Sequence, residues 1–104
     1  MSAADGSDAR MFREILSVAV YEPLPGREQD SLETMGLLLK VLSAAGFSRD
    51  FLYKDSSQYV LLRYWKSEEA RRAAYEEVQR CWAKLGNEIR ILKVFEVLEK
   101  VELS

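Results

Sequence analysis

The chain has 104 residues, 48% of them hydrophobic and 31% charged, a composition typical of one globular domain. Its formal net charge of -2 gives no electrostatic reason to expect nucleic acid or an anionic membrane as a partner. The chain has no histidine, and Cys81 is its only cysteine. These counts exclude an internal disulfide, histidine-based nucleophile systems and ordinary zinc sites, so we expect no metal and no cofactor.

The first residues are small, polar and acidic, and they show no periodicity. Residues 1–10 are therefore predicted to be a disordered tail, and residues 11–104 to form the domain. The tail lacks the basic and apolar segments of a signal peptide, and no apolar run approaches the ~20 residues of a membrane helix. We expect a cytoplasmic protein that does not contact a membrane.

Residues 14–21 alternate as a strand that is largely apolar on both faces. One face holds Leu16, Val18 and Val20, and the other holds Ile15, Ser17, Ala19 and Tyr21. A helix is predicted over residues 27–45, with Gly46 as its stop signal. Its apolar stripe consists of Leu32, Met35, Leu38, Leu39, Leu42 and Ala45. Gly36 inside this helix indicates close packing on the sheet or, as the alternative, space for a ligand.

A hairpin follows, with apolar and aromatic runs at residues 51–53 and 59–62 around a polar turn at 54–57. The second run continues through Tyr64 and Trp65 and stops at Ser67. Ser67 is a good N-cap for a second helix, because Glu68 and Glu69 lie in its first turn. That helix is predicted over residues 67–85. Its sheet-facing residues are Ala70, Ala74, Val78, Cys81, Trp82 and Leu85. The last strand is predicted over residues 90–101, with Leu92, Val94 and Leu98 on one face and Ile91, Phe95 and Val97 on the other.

This order of elements, β-α-β-β-α-β, predicts an α+β fold of the ferredoxin-like type. Its sheet has four antiparallel strands, and both helices lie on one face. The other face would expose many apolar side chains, more than a monomer usually tolerates. We therefore expect a homodimer formed through the sheet face by two-fold symmetry.

Several of these features resemble the antibiotic biosynthesis monooxygenase family. The strongest match is residues 59–70, YVLLRYWKSEEA, which is similar to that family's signature of strand, tryptophan, serine, acid and alanine. Further matches are Pro25-Gly26, Ala45-Gly46-Phe47, and Leu52 with Asp55. The resemblance extends over roughly residues 13–99. It implies a dimeric α+β barrel and oxidation of aromatic substrates by molecular oxygen without metal or flavin.

Two catalytic patterns of that family are absent. The haem-degrading branch has an asparagine and, ten residues after its tryptophan, a histidine. This chain has Tyr75 at the position of the histidine, and the chain's own asparagine, Asn87, follows the second helix. The polyketide-oxidising branch has an asparagine four residues before the tryptophan, where this chain has Leu61. The resemblance therefore does not identify the catalytic residues.

The candidate ligand-binding residues are Trp65, Arg63, Tyr75, Tyr59 and Ser17, and the first three are also the catalytic candidates. Trp65 either stacks on an aromatic ligand or belongs to the core. Arg63 either anchors a phenolate or carboxylate, or pairs with a glutamate. Tyr75 either donates a hydrogen bond to a ligand or packs at a helix edge, and Ser17 is small enough to leave room for a ligand.

The function predicted from these residues and from the resemblance is that of a cofactor-independent monooxygenase-like protein. It binds a small aromatic or apolar molecule between the sheet and the helices. The alternative is a non-catalytic dimeric α+β barrel, either ligand-binding or stress-associated. The identity of the substrate, the pathway and the presence of catalysis stay open at this point.

Overall fold

The structure, a computed structural model, describes residues 15–98, 100, 101 and 103. The predicted tail and the first residue of the predicted first strand, Glu14, lie outside the described residues. The elements in chain order are β1 (Ile15–Pro23), α1 (Glu28–Ala44), β2 (Ser48–Asp55), β3 (Gln58–Trp65), α2 (Glu68–Ala73), α3 (Tyr75–Leu85) and β4 (Ile89–Leu98). No helix among the described residues is both long and apolar enough to cross a membrane.

The four strands form one antiparallel sheet in the order β2-β3-β1-β4. The first strand therefore lies at the centre, between the second hairpin strand and the last strand. This α+β arrangement is compatible with the ferredoxin-like fold that the order of elements predicts. The inner face of the sheet, which packs against the helices, carries the odd-numbered residues of β1 and β3, and these residues include most of the strand residues in the core.

The predicted second helix is two helices, α2 and α3, which meet at Ala74. Ala74 has φ -87° and ψ -5°, which is a helix-end conformation, and it is buried against the core. Its N–H still donates to the Ala70 carbonyl, and its own carbonyl accepts from the Val78 N–H. The break was not predicted because no glycine or proline lies between residues 68 and 85.

The hairpin is closed by a two-residue turn, because Asp55 pairs with Gln58 and leaves only Ser56 and Ser57 between the strands. Ser56 has φ 57°, a left-handed conformation that two-residue hairpin turns require. The predicted hairpin is thus confirmed, and β3 ends at Trp65 as predicted. Strand β2 extends beyond the predicted residues 51–53 at both ends, and β3 begins one residue earlier than predicted, because pairing continues to the turn. Strand β1 likewise continues to Pro23.

The predicted alternation of the last strand is wrong, and its end at residue 101 is also wrong, since β4 stops at Leu98. The pairing of β1 with β4 shifts register twice, between Leu16 and Val18 and between Val20 and Tyr21. Such shifts turn later side chains to the opposite face. Consequently Val94, which pairs with Ala19, lies on the inner face, and Phe95, which pairs with Val18, lies on the outer one.

Helix α1 contributes Met35, Leu38 and Leu42 to the core, as its stripe predicts. Ala45 is exposed and does not belong to that stripe. The expectation that Gly36 packs closely on the sheet is also wrong. Gly36 is exposed, and a Cβ built there would meet no heavy atom within 4 Å, so neither a packing partner nor a ligand requires glycine at this position.

We expect Gly36→Ala to stabilise the protein by about 1 kcal/mol, because alanine costs less backbone entropy in a helix interior. Urea unfolding followed by circular dichroism measures this change. Gly46→Ala is the matched control: the site is equally open, but φ is 73° there, so this variant should be destabilised. A Gly36→Ala variant no more stable than the parent chain would contradict the assignment.

Candidate ligand-binding cleft

An open cleft of about 220 Å³ lies between the inner face of the sheet and helices α2 and α3. Its buried inner end is formed by side chains of β1 and β3, and its mouth by exposed residues of α3 and β4. The cleft is lined by Ser17, Val18, Ala19, Leu61, Arg63, Trp65, Arg71, Tyr75, Val78, Gln79, Trp82, Ile91, Val94, Phe95 and Glu96. Four of the five predicted ligand-binding residues, all except Tyr59, therefore meet in one place.

Trp65 forms part of the inner end and is also a core residue, with only 3% of its surface exposed. Its indole Nε1–H donates to the Ser17 hydroxyl at 2.8 Å. The Ser17 hydroxyl in turn donates to the Glu96 carbonyl. This chain of two hydrogen bonds connects β3, β1 and β4 and leaves the hydroxyl with no proton to donate to a ligand. Trp65 is thus a core residue that also lines the cleft, and its stacking on a ligand stays a prediction.

Arg63 is held by a buried ion pair. It lies opposite Asp50 in the β2–β3 pairing, and its Nε donates to Asp50 Oδ2 at 2.9 Å. Both side chains are only 4% exposed. The Ser48 hydroxyl donates to the other carboxylate oxygen, Oδ1, at 2.7 Å. The ion pair that sequence reasoning offered as an alternative for Arg63 therefore exists, but its partner is an aspartate and not a glutamate.

The guanidinium of Arg63 is not fully paired. Its Nη2 is buried and has no hydrogen-bond partner among the described residues. Its central carbon lies 5.5 Å from the centroid of the Trp65 ring, which adds a cation–π contact. A buried donor without a partner lowers the free energy of unfolding by about 1–3 kcal/mol, and such groups are rare in folded proteins.

Tyr75 begins α3 and lines the mouth of the cleft, with 58% of its surface exposed. Arg71 of α2 also lines the cleft, and two of its nitrogens donate to the Glu68 carboxylate. These hydrogen bonds hold the pKa of Glu68 below its usual range. The mouth thus contains the exposed phenol of Tyr75 and the guanidinium of Arg71, which is already paired with Glu68.

Tyr59 lies on the same face of β3 but does not line the cleft. Its hydroxyl donates to the Glu28 carboxylate, which also pairs with Lys54 at 2.9 Å. The Tyr59 ring stacks on Tyr21, with the centroids 5.6 Å apart. Burial, followed by the proximity of Tyr59, raises the pKa of Tyr21 to about 12. The structure therefore assigns Tyr59 to an ion-pair cluster that joins α1 to the hairpin.

Sequence reasoning missed two residues that shape the cleft. Asp50 was not singled out, although a two-residue turn at 56–57 places it directly opposite Arg63. Trp82 was expected in the core, yet it is half-buried and lines the cleft together with Val78. The faces of Val94 and Phe95 were obscured by the register shifts of β4.

Cys81 is half-buried, packs against the core and does not line the cleft. Its thiol donates weakly to the Thr34 carbonyl at 3.8 Å, and burial raises its pKa, so the reactive thiolate is disfavoured. Within the described ranges, no three cysteine, aspartate or glutamate side chains come together in the way a metal ion would require.

A comparison with models of known protein families gave no match. A comparison with curated proteins gave no match either. The resemblance to the antibiotic biosynthesis monooxygenases therefore stays a prediction drawn from the residues that carry it.

The cluster around Glu28 generates a prediction about pH. The hydrogen bond from Tyr59, followed by the hydrogen bond and charge of Lys54, lowers the pKa of Glu28. A lowered pKa in the folded state contributes stability above the unfolded value of about 4.3, and this contribution disappears as the pH falls through the folded pKa. We expect Glu28→Gln to be less stable than the parent at pH 7, and the difference to shrink towards pH 3.

Urea unfolding at a series of pH values measures this effect. Glu33→Gln, at another exposed position of α1, is the matched control and should follow the parent at every pH. A difference between Glu28→Gln and the parent that is the same at pH 3 and pH 7 would show that the carboxylate charge does not matter.

Proposed function

We propose that this protein binds a small aromatic or apolar molecule in the cleft. The observation that carries the proposal is that both tryptophans of the chain, Trp65 and Trp82, line the same cleft, together with aliphatic side chains. Two indoles beside an open volume are a natural stacking site for an aromatic ring. The volume lies below the roughly 300–1,000 Å³ of sites for drug-sized ligands, which favours a molecule of one or two rings.

The resemblance to the antibiotic biosynthesis monooxygenases supports a second step, oxygenation of the bound molecule without a cofactor. In such a reaction an activated ring CH₂ is oxidised to a carbonyl by one O₂. The substrate supplies all four electrons, and the second oxygen atom leaves as water. The reaction begins from an anion of the substrate, which the protein would have to stabilise. Because Arg63 is already paired with Asp50, the geometry supports binding better than oxygenation, and non-catalytic binding is the alternative.

We further propose that two copies of the chain associate through the outer face of the sheet. This face lies opposite the helices and is defined by the residues Leu16, Val18, Val20, Phe51, Tyr53, Val60, Leu62, Tyr64, Phe95 and Leu98. These ten are apolar or aromatic, and Phe51, Tyr53 and Phe95 are exposed. The same face also carries the charged residues Arg49, which pairs with Tyr64, and Lys93, which pairs with Val20. A second copy related by two-fold symmetry would present the same rows and cover them.

We expect hydroquinones and two-ring phenols to quench the tryptophan fluorescence of the protein in a saturable way. Val78→Phe should weaken binding about tenfold or more, because the larger side chain fills the cleft from α3. Val41→Phe, an exposed position on α1 outside the cleft, is the matched control and should bind as the parent does. Absence of binding by every compound, or equal binding by both variants, would contradict the proposal.

Oxygen consumption with the same compounds separates the two candidate functions. Uptake of O₂ above the spontaneous rate, lost in Val78→Phe and kept in Val41→Phe, would support a monooxygenase. Saturable quenching without uptake would leave a binding protein.

For the outer face, we expect a mass of twice 12.0 kDa by light scattering at micromolar concentration, with an interface of ~1,600 Å² in total. Leu62→Glu at the centre of the face should give monomers, since a charge would be buried there without a partner. Leu37→Glu, at an exposed apolar position on α1, is the matched control and should remain dimeric. A monomeric mass for the parent at every concentration would rule out the dimer.

A further inference from the structure

The charges around the cleft bear on which ligands it accepts. Three side chains that are charged at neutral pH line it, namely Arg63, Arg71 and Glu96. Each arginine is paired with a carboxylate of its own, Arg63 with Asp50 and Arg71 with Glu68. The lining groups and these partners thus comprise two cations and three carboxylates.

The more distant Arg72 does not change this conclusion. It approaches Glu68 to 3.8 Å, but its side chain is 77% exposed, so water screens its charge. Even when Arg72 is counted, the cleft and its immediate surroundings carry no net positive charge. A carboxylate or phenolate that entered would lose its hydration and find no unpaired cation in return.

Beside the inner end of the cleft there is nevertheless an unpaired hydrogen-bond donor. Arg63 lines the buried inner end, and its Nη2 has no partner among the described residues. The Trp65 Nε1–H and the Ser17 hydroxyl proton, in contrast, are both used within the protein. An uncharged carbonyl oxygen would satisfy Nη2 without adding a charge. Because Nη2 is itself buried, the guanidinium has to turn towards the cleft to reach that oxygen.

From this arrangement we propose that the cleft selects uncharged aromatic molecules that carry a hydrogen-bond-accepting oxygen, such as aromatic ketones and quinones, over aromatic anions. The aromatic ring lies against Trp65 and Trp82, and the oxygen points to Nη2 of Arg63. This inference rests on the proposed function, because it requires a ligand in the cleft. It adds the charge state and the polar group of that ligand.

Three naphthalenes of similar size test the proposal with the full chain at pH 7.5. They are 2-acetylnaphthalene, which is neutral and carries an acceptor, 2-naphthoate, which is an anion, and 2-ethylnaphthalene, which has no acceptor. Affinities are measured by tryptophan quenching and by calorimetry. The acetyl compound should bind at least about tenfold more tightly than either of the others. Equal or tighter binding of 2-naphthoate, or equal binding of 2-ethylnaphthalene, would overturn the proposal.

The failure of the proposed function has a different signature, since none of the three compounds would then bind. If they bind without the expected order, ligand binding stands and the inference about charge falls.

Variants test the cause of the selectivity. Asp50→Asn removes the carboxylate that neutralises Arg63 and keeps an acceptor for its Nε, so the affinity for 2-naphthoate should rise at least about tenfold relative to 2-acetylnaphthalene. This variant leaves a buried arginine without its counter-charge and is checked for folding by circular dichroism. Unchanged selectivity in a folded Asp50→Asn variant would overturn the proposal.

Glu96→Gln provides a second route, because Glu96 is exposed at the mouth and its replacement should not affect folding. It should improve 2-naphthoate binding a few-fold and leave 2-acetylnaphthalene unchanged. Glu33→Gln, an exposed glutamate of α1 that does not line the cleft, is the matched control and should change neither affinity. Equal behaviour of the two glutamate variants would count against the proposal.

Discussion

The buried ion pair between Arg63 and Asp50 constrains both the sheet and the cleft. Removing two charges from water is expensive, and a pair of this kind is favourable only where its geometry is good and its remaining groups are hydrogen-bonded. Here the two residues are direct neighbours across β2 and β3, and Ser48 satisfies the second carboxylate oxygen. Among the buried side-chain atoms of this group, only Nη2 of Arg63 lacks a partner among the described residues. A slip of one residue in the hairpin would turn the arginine to the outer face and leave the aspartate buried alone. The pair therefore selects the register that the turn at Ser56 and Ser57 also requires.

The cleft exists because the helices cover the inner face of the sheet unevenly. Over β3 and β1 the inner-face residues Leu61, Ala19 and Tyr21 are buried. Over the edge strand β4 it is not, since Ile91 and Val94, which pair with inner-face residues of β1, remain about half exposed. The bulges of β4 add to this by turning Val94 inward towards α3. The same fold thus has two incompletely covered apolar surfaces, the cleft and the outer face.

Much of this architecture follows from the sequence because it depends on local signals. The alternation of β1, the stripe of α1 and the Ser67 cap each involve neighbours along the chain, and Ser67 does accept from the Ala70 N–H. Convergence of Ser17, Arg63, Trp65 and Tyr75 could also be predicted from strand alternation and helical spacing. What could not be predicted depends on long-range pairing.

The two register shifts of β4 arise from its pairing with β1, and no residue in β4 marks them. The partner of Arg63 depends on the exact turn length, because a longer turn would have put another residue opposite it. The break at Ala74 has no local breaker at all. Gly36 shows the opposite error, in that a strong local signal has no structural consequence at that position.

The pairing of Arg63 also limits the chemistry that the cleft can promote. Oxygenation without a cofactor starts from a substrate anion, and a free cation nearby would lower the substrate pKa by about 1–3 units. A cation that is already neutralised by Asp50 provides only a hydrogen bond, which stabilises a developing oxyanion less than a net charge does. Any substrate oxidised here must therefore be acidic enough to ionise close to neutral pH largely by its own structure. A quinone or ketone needs no ionisation, and for this reason the arrangement of charges supports the proposed binding better than it supports oxygenation.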